Sequence, residues 1–132
     1  MVKAARRDID RVRAIVCERD GNTCQRCGGA VTHKLASLQH RIARGRGGSA
    51  SERVWCPSNL ALLCGSATTP GSCHNFVENE EREQGKAEGW VLPMNNPFID
   101  PATEPVLTIW GWVLLSDDGS RTPCAPPGEV SA

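Results

Sequence analysis

The segment Cys24-Gln25-Arg26-Cys27, followed by Gly28-Gly29, constrains this chain more than any other feature. Two thiols separated by two residues in a polar, glycine-flanked turn aim at one point, which is the geometry of a metal knuckle. The 132 residues contain seven cysteines: Cys17, Cys24, Cys27, Cys56, Cys64, Cys73 and Cys124. The count is odd, and the first twenty residues are charged throughout with no apolar leader core. Both features favour a reduced, cytoplasmic chain whose thiols bind metal over a secreted disulfide framework. No apolar run approaches the length of a membrane span. With 39% hydrophobic residues, 13 Gly and 9 Pro, the core is small and loop-rich, the kind that needs a staple. Cys64 and Cys73, separated by the small-residue insert GSATTPGS, could complete a tetrahedral structural zinc site with Cys24 and Cys27. Cys56 is the first substitute for Cys64 and Cys124 the other spare. Cys17 borders an apolar stripe and reads as a small core residue.

The pattern along the chain is of the α+β class. Ala5, Ile9, Val12 and Val16 form one apolar stripe, predicting a helix over 4–18 that Asp20-Gly21-Asn22 ends. Residues 36–43 suit a strand of a hairpin, 44–57 a loop, and 57–64 a turn leading into a short apolar segment. A helix is predicted from Cys73 to about Gln84, with Gly85 as its stop. Strands are expected at 106–109 and 111–115, with Asp118-Gly119 as a hairpin turn. The expectation is one domain over 1–125: a core at about 20–85, a C-terminal β appendage at about 86–125, and a disordered tail at 126–132. The formal net charge is zero, but residues 1–50 hold eleven Lys/Arg against four Asp/Glu and residues 51–132 four against eleven. Such asymmetry suggests a basic face for a polyanion; the alternative is two halves that neutralise each other within the fold.

Read in order, CQRCGG, LQHRIARGRGG, SNLALLC and CHNFVE place His40, Asn59 and His74 among the four cysteines. The ordered set resembles the HNH endonuclease family, in detail the small HNH proteins of bacteriophages and actinobacteria. The likeness extends through GWVLLSDDGS and so covers nearly the whole chain. It implies a ββα-metal core: a hairpin carrying His40, a loop carrying Asn59, and a helix carrying His74, with one divalent ion (Mg2+, Mn2+, Ni2+ or Zn2+) between hairpin and helix. The implied activity is metal-dependent hydrolysis of DNA phosphodiester bonds. The implied partners are DNA and a terminase or other phage packaging protein.

The chemistry matches the residue types. An imidazole titrates near neutrality, so His40 can take a proton from water. Asn59 would orient that ring through its amide oxygen. His74 would hold the catalytic ion with Glu78, four residues on and on the same helix face. Before the base, where many family members carry Asp or His as a further ligand, this chain has Gln39, a neutral and weaker donor. Arg41, Arg44 and Arg46 flank the base in a Gly-rich loop and suit phosphate contacts. His33 matches no motif position and reads as a loop residue. The competing reading is a non-catalytic zinc-binding module that keeps the fold, binds DNA or a terminase-like protein, and does not cut.

Overall fold

The computed structural model describes residues 5–31, 36–44 and 53–128. The chain opens with helix α1 (Arg6–Asp20), two residues longer at its C-terminal end than the apolar stripe predicts. Gly21 then takes the left-handed conformation at φ 60°, and Asn22 N–H reaches back to the Cys17 carbonyl, closing the helix. The extra residues have a purpose. Asp20 is buried, its Oδ2 accepts from Leu62 N–H at 2.9 Å, and Arg19 donates to Asp20 at 2.8 Å and to the Pro57 and Leu60 carbonyls at 2.8 and 2.6 Å. This polar clamp, with Val16 beneath it, docks α1 on the following hairpin.

Strands β1 (Ala36–His40) and β2 (Leu60–Cys64) pair antiparallel, with Ser37 opposite Leu63, Gln39 opposite Ala61 and His40 opposite Leu60. β1 ends at His40, three residues short of expectation, because the chain bends at Arg41. A 3-10 turn over Pro57–Asn59 leads into β2. Helix α2 (Cys73–Asn75) starts under a Ser72 cap and continues as a π-helical turn over Phe76–Glu80; after a break at Glu81 comes α3 (Arg82–Ala87). The single helix predicted over 73–84 is therefore interrupted, and Gly85 lies inside α3 rather than ending a helix. Its role is close approach: a Cβ there would sit 2.2 Å from the Val77 carbonyl oxygen.

A second sheet of β3 (Val106–Thr108), β4 (Gly111–Leu115) and β5 (Arg121–Pro123) is antiparallel in sequence order, with the expected turn at Asp118-Gly119. It is no detached appendage. Val106, Val113 and Leu115 share one apolar cluster with Val16, Leu60, Leu63, Val77 and Trp90. Ile109 N–H donates to Gln25 O and Leu107 N–H to Glu88 O, so the sheet braces both the cysteine knuckle and the end of α3. Pro127 and Gly128 form a turn, and the rest of the predicted tail lies outside the described residues, as do His33 and Arg46. Among the described residues no helix is long and apolar enough to cross a membrane.

The expectation that Arg41 contacts phosphate is overturned. Its side chain is buried and donates to four backbone carbonyls: Gly89 at 2.8 Å, Ser58 at 3.0 Å, Pro101 at 2.9 Å and Glu104 at 2.7 Å. Burial pulls its pKa down to about 10, which leaves it charged at neutral pH. One guanidinium thus ties the hairpin loop to three later segments. Arg41→Met should cost about 3–5 kcal/mol, because carbonyls once bonded to a cation lose their donor inside the protein. Arg44→Met, on an exposed residue, should change stability by less than about 0.5 kcal/mol. Denaturant midpoints of the two variants test this, and equal losses would remove Arg41 from its structural role.

Candidate functional site

Three separate segments deliver four cysteines to one place. The knuckle after α1 supplies Cys24 and Cys27, β2 ends on Cys64, and α2 begins at Cys73, with all four sulfurs within 4.8 Å of one another. A tetrahedral zinc with Zn–S bonds of about 2.3 Å spaces its sulfurs about 3.8 Å apart, so the cluster could hold such an ion. The local backbone prepares it: Cys27 N–H points at Cys24 Sγ at 3.5 Å, and Cys73 N–H at Cys64 Sγ at 3.3 Å. Burial works against ionisation of Cys24, but the N–H groups of Cys27, Arg26 and Cys64 outweigh it and hold its pKa below the ordinary thiol value. Cys73 is pushed the other way, by burial and then by the neighbouring Cys24 and Cys64 sulfurs. Four thiolates this close would repel one another, and a cation among them would relieve that repulsion. Cys17, Cys56 and Cys124 lie outside the cluster.

Arg26, between the two knuckle cysteines, makes a two-pronged ion pair with Glu88 at 2.8 and 3.1 Å and lies over the Phe76 ring. Glu88 is buried, which raises its pKa, but Arg26, Gln84 and the Trp90 indole N–H together hold it below the usual carboxylate range. This network fixes the knuckle against α3 and against Trp90.

Beyond the cluster, Gln39, His40 and Glu78 line one groove of about 610 Å³ with Arg82 and Lys86, and Met94 lies on its apolar wall. His40 is partly buried beside Trp55, whose ring it meets edge-on at 4.7 Å. Its Nε2 is buried with no hydrogen-bond partner. Burial first, then the Arg44 charge and His74, lower the His40 pKa to about 4 against the opposing pull of Glu78, so the ring is neutral at neutral pH. Arg44 itself lies with its guanidinium carbon 5.8 Å from the Trp55 ring centre.

Asn59, expected to orient the His40 ring, makes its hydrogen bonds elsewhere. It is fully buried; its Oδ1 accepts from Ile42 N–H at 2.7 Å, and its Nδ2 donates to the Ile42 and Val54 carbonyls at 3.1 Å each. An amide has both a donor and an acceptor, so one side chain imitates a strand partner and clasps the loop just beyond His40. The residue therefore holds the backbone beside His40 and does not touch its ring.

The expected pairing of His74 with Glu78 is present, with Nε2 to Oε1 at 3.4 Å across one helical turn, and His74 is buried. Its Nδ1 contacts Ser37 Oγ. Gln39 is buried, its Nε2 donates to Trp90 O at 2.9 Å, and its Oε1 has no hydrogen-bond partner. With the amide nitrogen anchored, that oxygen is left as a free donor of electron pairs beside the groove. Arg82 and Lys86 were not among the expected site residues, although they stand four and eight residues beyond Glu78, a spacing that marks one helical face in the sequence.

Compared with protein-family models, curated proteins and solved structures, the chain matches none.

Two measurements follow from this geometry. Metal analysis of the purified chain should find one tightly held zinc, lost in Cys24→Ser and Cys73→Ser and kept in Cys17→Ser and Cys56→Ser; retention in the first pair would dismiss the cluster as a metal site. Asn59→Ala should cost about 2–4 kcal/mol by leaving three backbone groups unpaired. Amide hydrogen exchange should find the Ile42 N–H protected in the wild type and open in the variant, and unchanged protection would refute the clasp.

Proposed function

We propose that the chain is a metal-dependent endonuclease of the HNH type, hydrolysing DNA phosphodiester bonds in the groove between the β1/β2 hairpin and the α2–α3 segment. The observation that carries this reading is the convergence at one groove of a neutral imidazole with a bare Nε2, an amide oxygen without a partner, and a carboxylate paired with a second histidine. In a ββα-metal reading, β1 and β2 are the two strands and α2 with its π-helical extension is the helix. Gln39 Oε1, His74 Nε2 and Glu78 would hold the divalent ion. Bound there, the ion would supply positive charge to the scissile phosphate and its leaving oxygen.

The chain's own groups would do the rest. His40 Nε2 accepts a proton as water oxygen forms its bond to phosphorus. The bond from phosphorus to the 3′-oxygen breaks, leaving a 5′-phosphate and a 3′-hydroxyl that takes its proton from solvent. Trp55 packs edge-on against the base ring and limits its rotation. Arg82 and Lys86, which line the groove, would provide cationic contacts to the phosphate backbone in the role expected of Arg41; Arg44 adds charge beside the base. These contacts carry no base information, so cleavage should show little sequence preference. The resemblance adds a phage packaging protein as a second partner.

Supercoiled plasmid is the test substrate. The zinc-loaded chain, given Mg2+, Mn2+ or Ni2+, should nick or linearise it, and His40→Ala should lower the rate by about 100-fold or more while keeping its fold. Glu78→Gln should raise the concentration of metal needed. Cutting by His40→Ala at the wild-type rate would remove His40 as the base. No cutting with any metal would favour the non-catalytic zinc module.

A further inference from the structure

A histidine can ligate a cation only through a nitrogen that carries no proton, and something must decide which of the two that is. At His74 the geometry points to Ser37: we infer that its hydroxyl keeps the proton on Nδ1 and so presents Nε2 toward Glu78 as the ligating atom. The inference rests on the metal-binding reading above and adds a positioning residue to it.

A serine hydroxyl has one proton and can donate once. Ser37 Oγ donates to the Gly65 carbonyl at 2.7 Å, and a carbonyl can only accept. The same Oγ contacts His74 Nδ1. Its proton is already committed, so in that contact Oγ accepts and Nδ1–H donates. Nε2 is then the nitrogen that faces Glu78, 3.4 Å away, and the one left to take a cation.

The carbonyl that commits the serine proton is itself fixed. Gly65 stands at φ 72°, and a Cβ there would lie 2.2 Å from the Ser72 Cβ, so its conformation is available only to glycine. Gly65 directly follows Cys64. Ser37 lies opposite Leu63 in the hairpin register, two residues before Gln39. The chain Cys64–Gly65–Ser37–His74 therefore joins the four-cysteine cluster to the groove through one hydroxyl, and partners of this kind typically change metal affinity by about 10–100-fold when removed.

The test uses the full chain loaded with zinc, as wild type, Ser37→Ala and Ser37→Thr. Nitrogen-15 NMR of the histidine side chains should find His74 Nδ1 protonated in the wild type before and after addition of Mg2+. A wild-type Nδ1 without its proton overturns the inference. Titration with Ni2+ in a calorimeter should find affinity for the second ion about tenfold weaker in Ser37→Ala and restored toward wild type in Ser37→Thr, which keeps the hydroxyl. Equal Ni2+ affinity in wild type and Ser37→Ala, at unchanged zinc content, also overturns it. If Ser37→Ala fails to fold, the wild-type spectrum still decides. Neither readout needs DNA cleavage: a chain that never cuts, yet holds Nδ1–H and loses Ni2+ with the hydroxyl, supports Ser37 while the nuclease reading fails.

Discussion

Four sulfurs within 4.8 Å are the constraint on which the rest of the arrangement depends. Their consequence lies in where the cysteines sit in the chain. Cys64 is the last residue of β2 and pairs in register with Ala36, so fixing it also fixes the phase of β1 and with it Ser37, Gln39 and His40. Cys73 directly precedes His74, so the same cluster sets where α2 begins and which way His74 and Glu78 face. A cation held there would neutralise charges that otherwise oppose one another, and its binding energy would become folding energy for a chain with few regular elements.

Away from the cluster, polar side chains do much of the work that sheet ladders do in larger proteins. Arg41 binds four carbonyls, Asn59 three backbone groups on two segments, and Asp20 with Arg19 joins α1 to the hairpin. Each such bond contributes only about 0.5–1.5 kcal/mol net, but the cost of leaving its buried partner unmet is larger, so the contacts act as a set. This also revises the charge argument. Arg19, Arg26 and Arg41, all from the basic half, are committed to internal partners, whereas two cations lining the groove, Arg82 and Lys86, come from the acidic half. The asymmetry along the chain belongs partly to a fold whose halves neutralise each other.

What could be read from the sequence was what depends on local chemistry. The knuckle, the His74–Glu78 spacing, the 111–115 strand and the Asp118-Gly119 turn each follow from residues within a few positions. What could not be read depends on partners far along the chain. Asn59 is clasped to Ile42, 17 residues earlier, and nothing near Asn59 announces it. Arg41 looks like a solvent-facing charge until carbonyls at 58, 89, 101 and 104 converge on it. Gly85 resembles a helix stop because the carbonyl it must admit belongs to Val77 in a different turn. Ser37 was legible in principle, since it alternates with Gln39 along a strand, but its role becomes visible only once Gly65 and His74 stand on either side of it.

Buried polar atoms are almost always paired, and this chain pairs Arg41, Asn59 and Glu88 several times over. Yet Gln39 Oε1 and His40 Nε2, on adjacent residues of β1, are left without partners at the same groove. Both are electron-pair donors. Gln39 cannot turn to satisfy its oxygen without giving up the bond from its nitrogen to Trp90 O, and His40 cannot turn its ring without leaving Trp55. The cost of two unmet acceptors is therefore built into the scaffold, and an electropositive species entering the groove would recover it: a cation at the amide oxygen, or the proton of a water at the imidazole. On the proposed reading, that division would give cation binding to the neutral donor and proton transfer to the imidazole, and a glutamine at position 39 a use that its lack of charge would otherwise argue against.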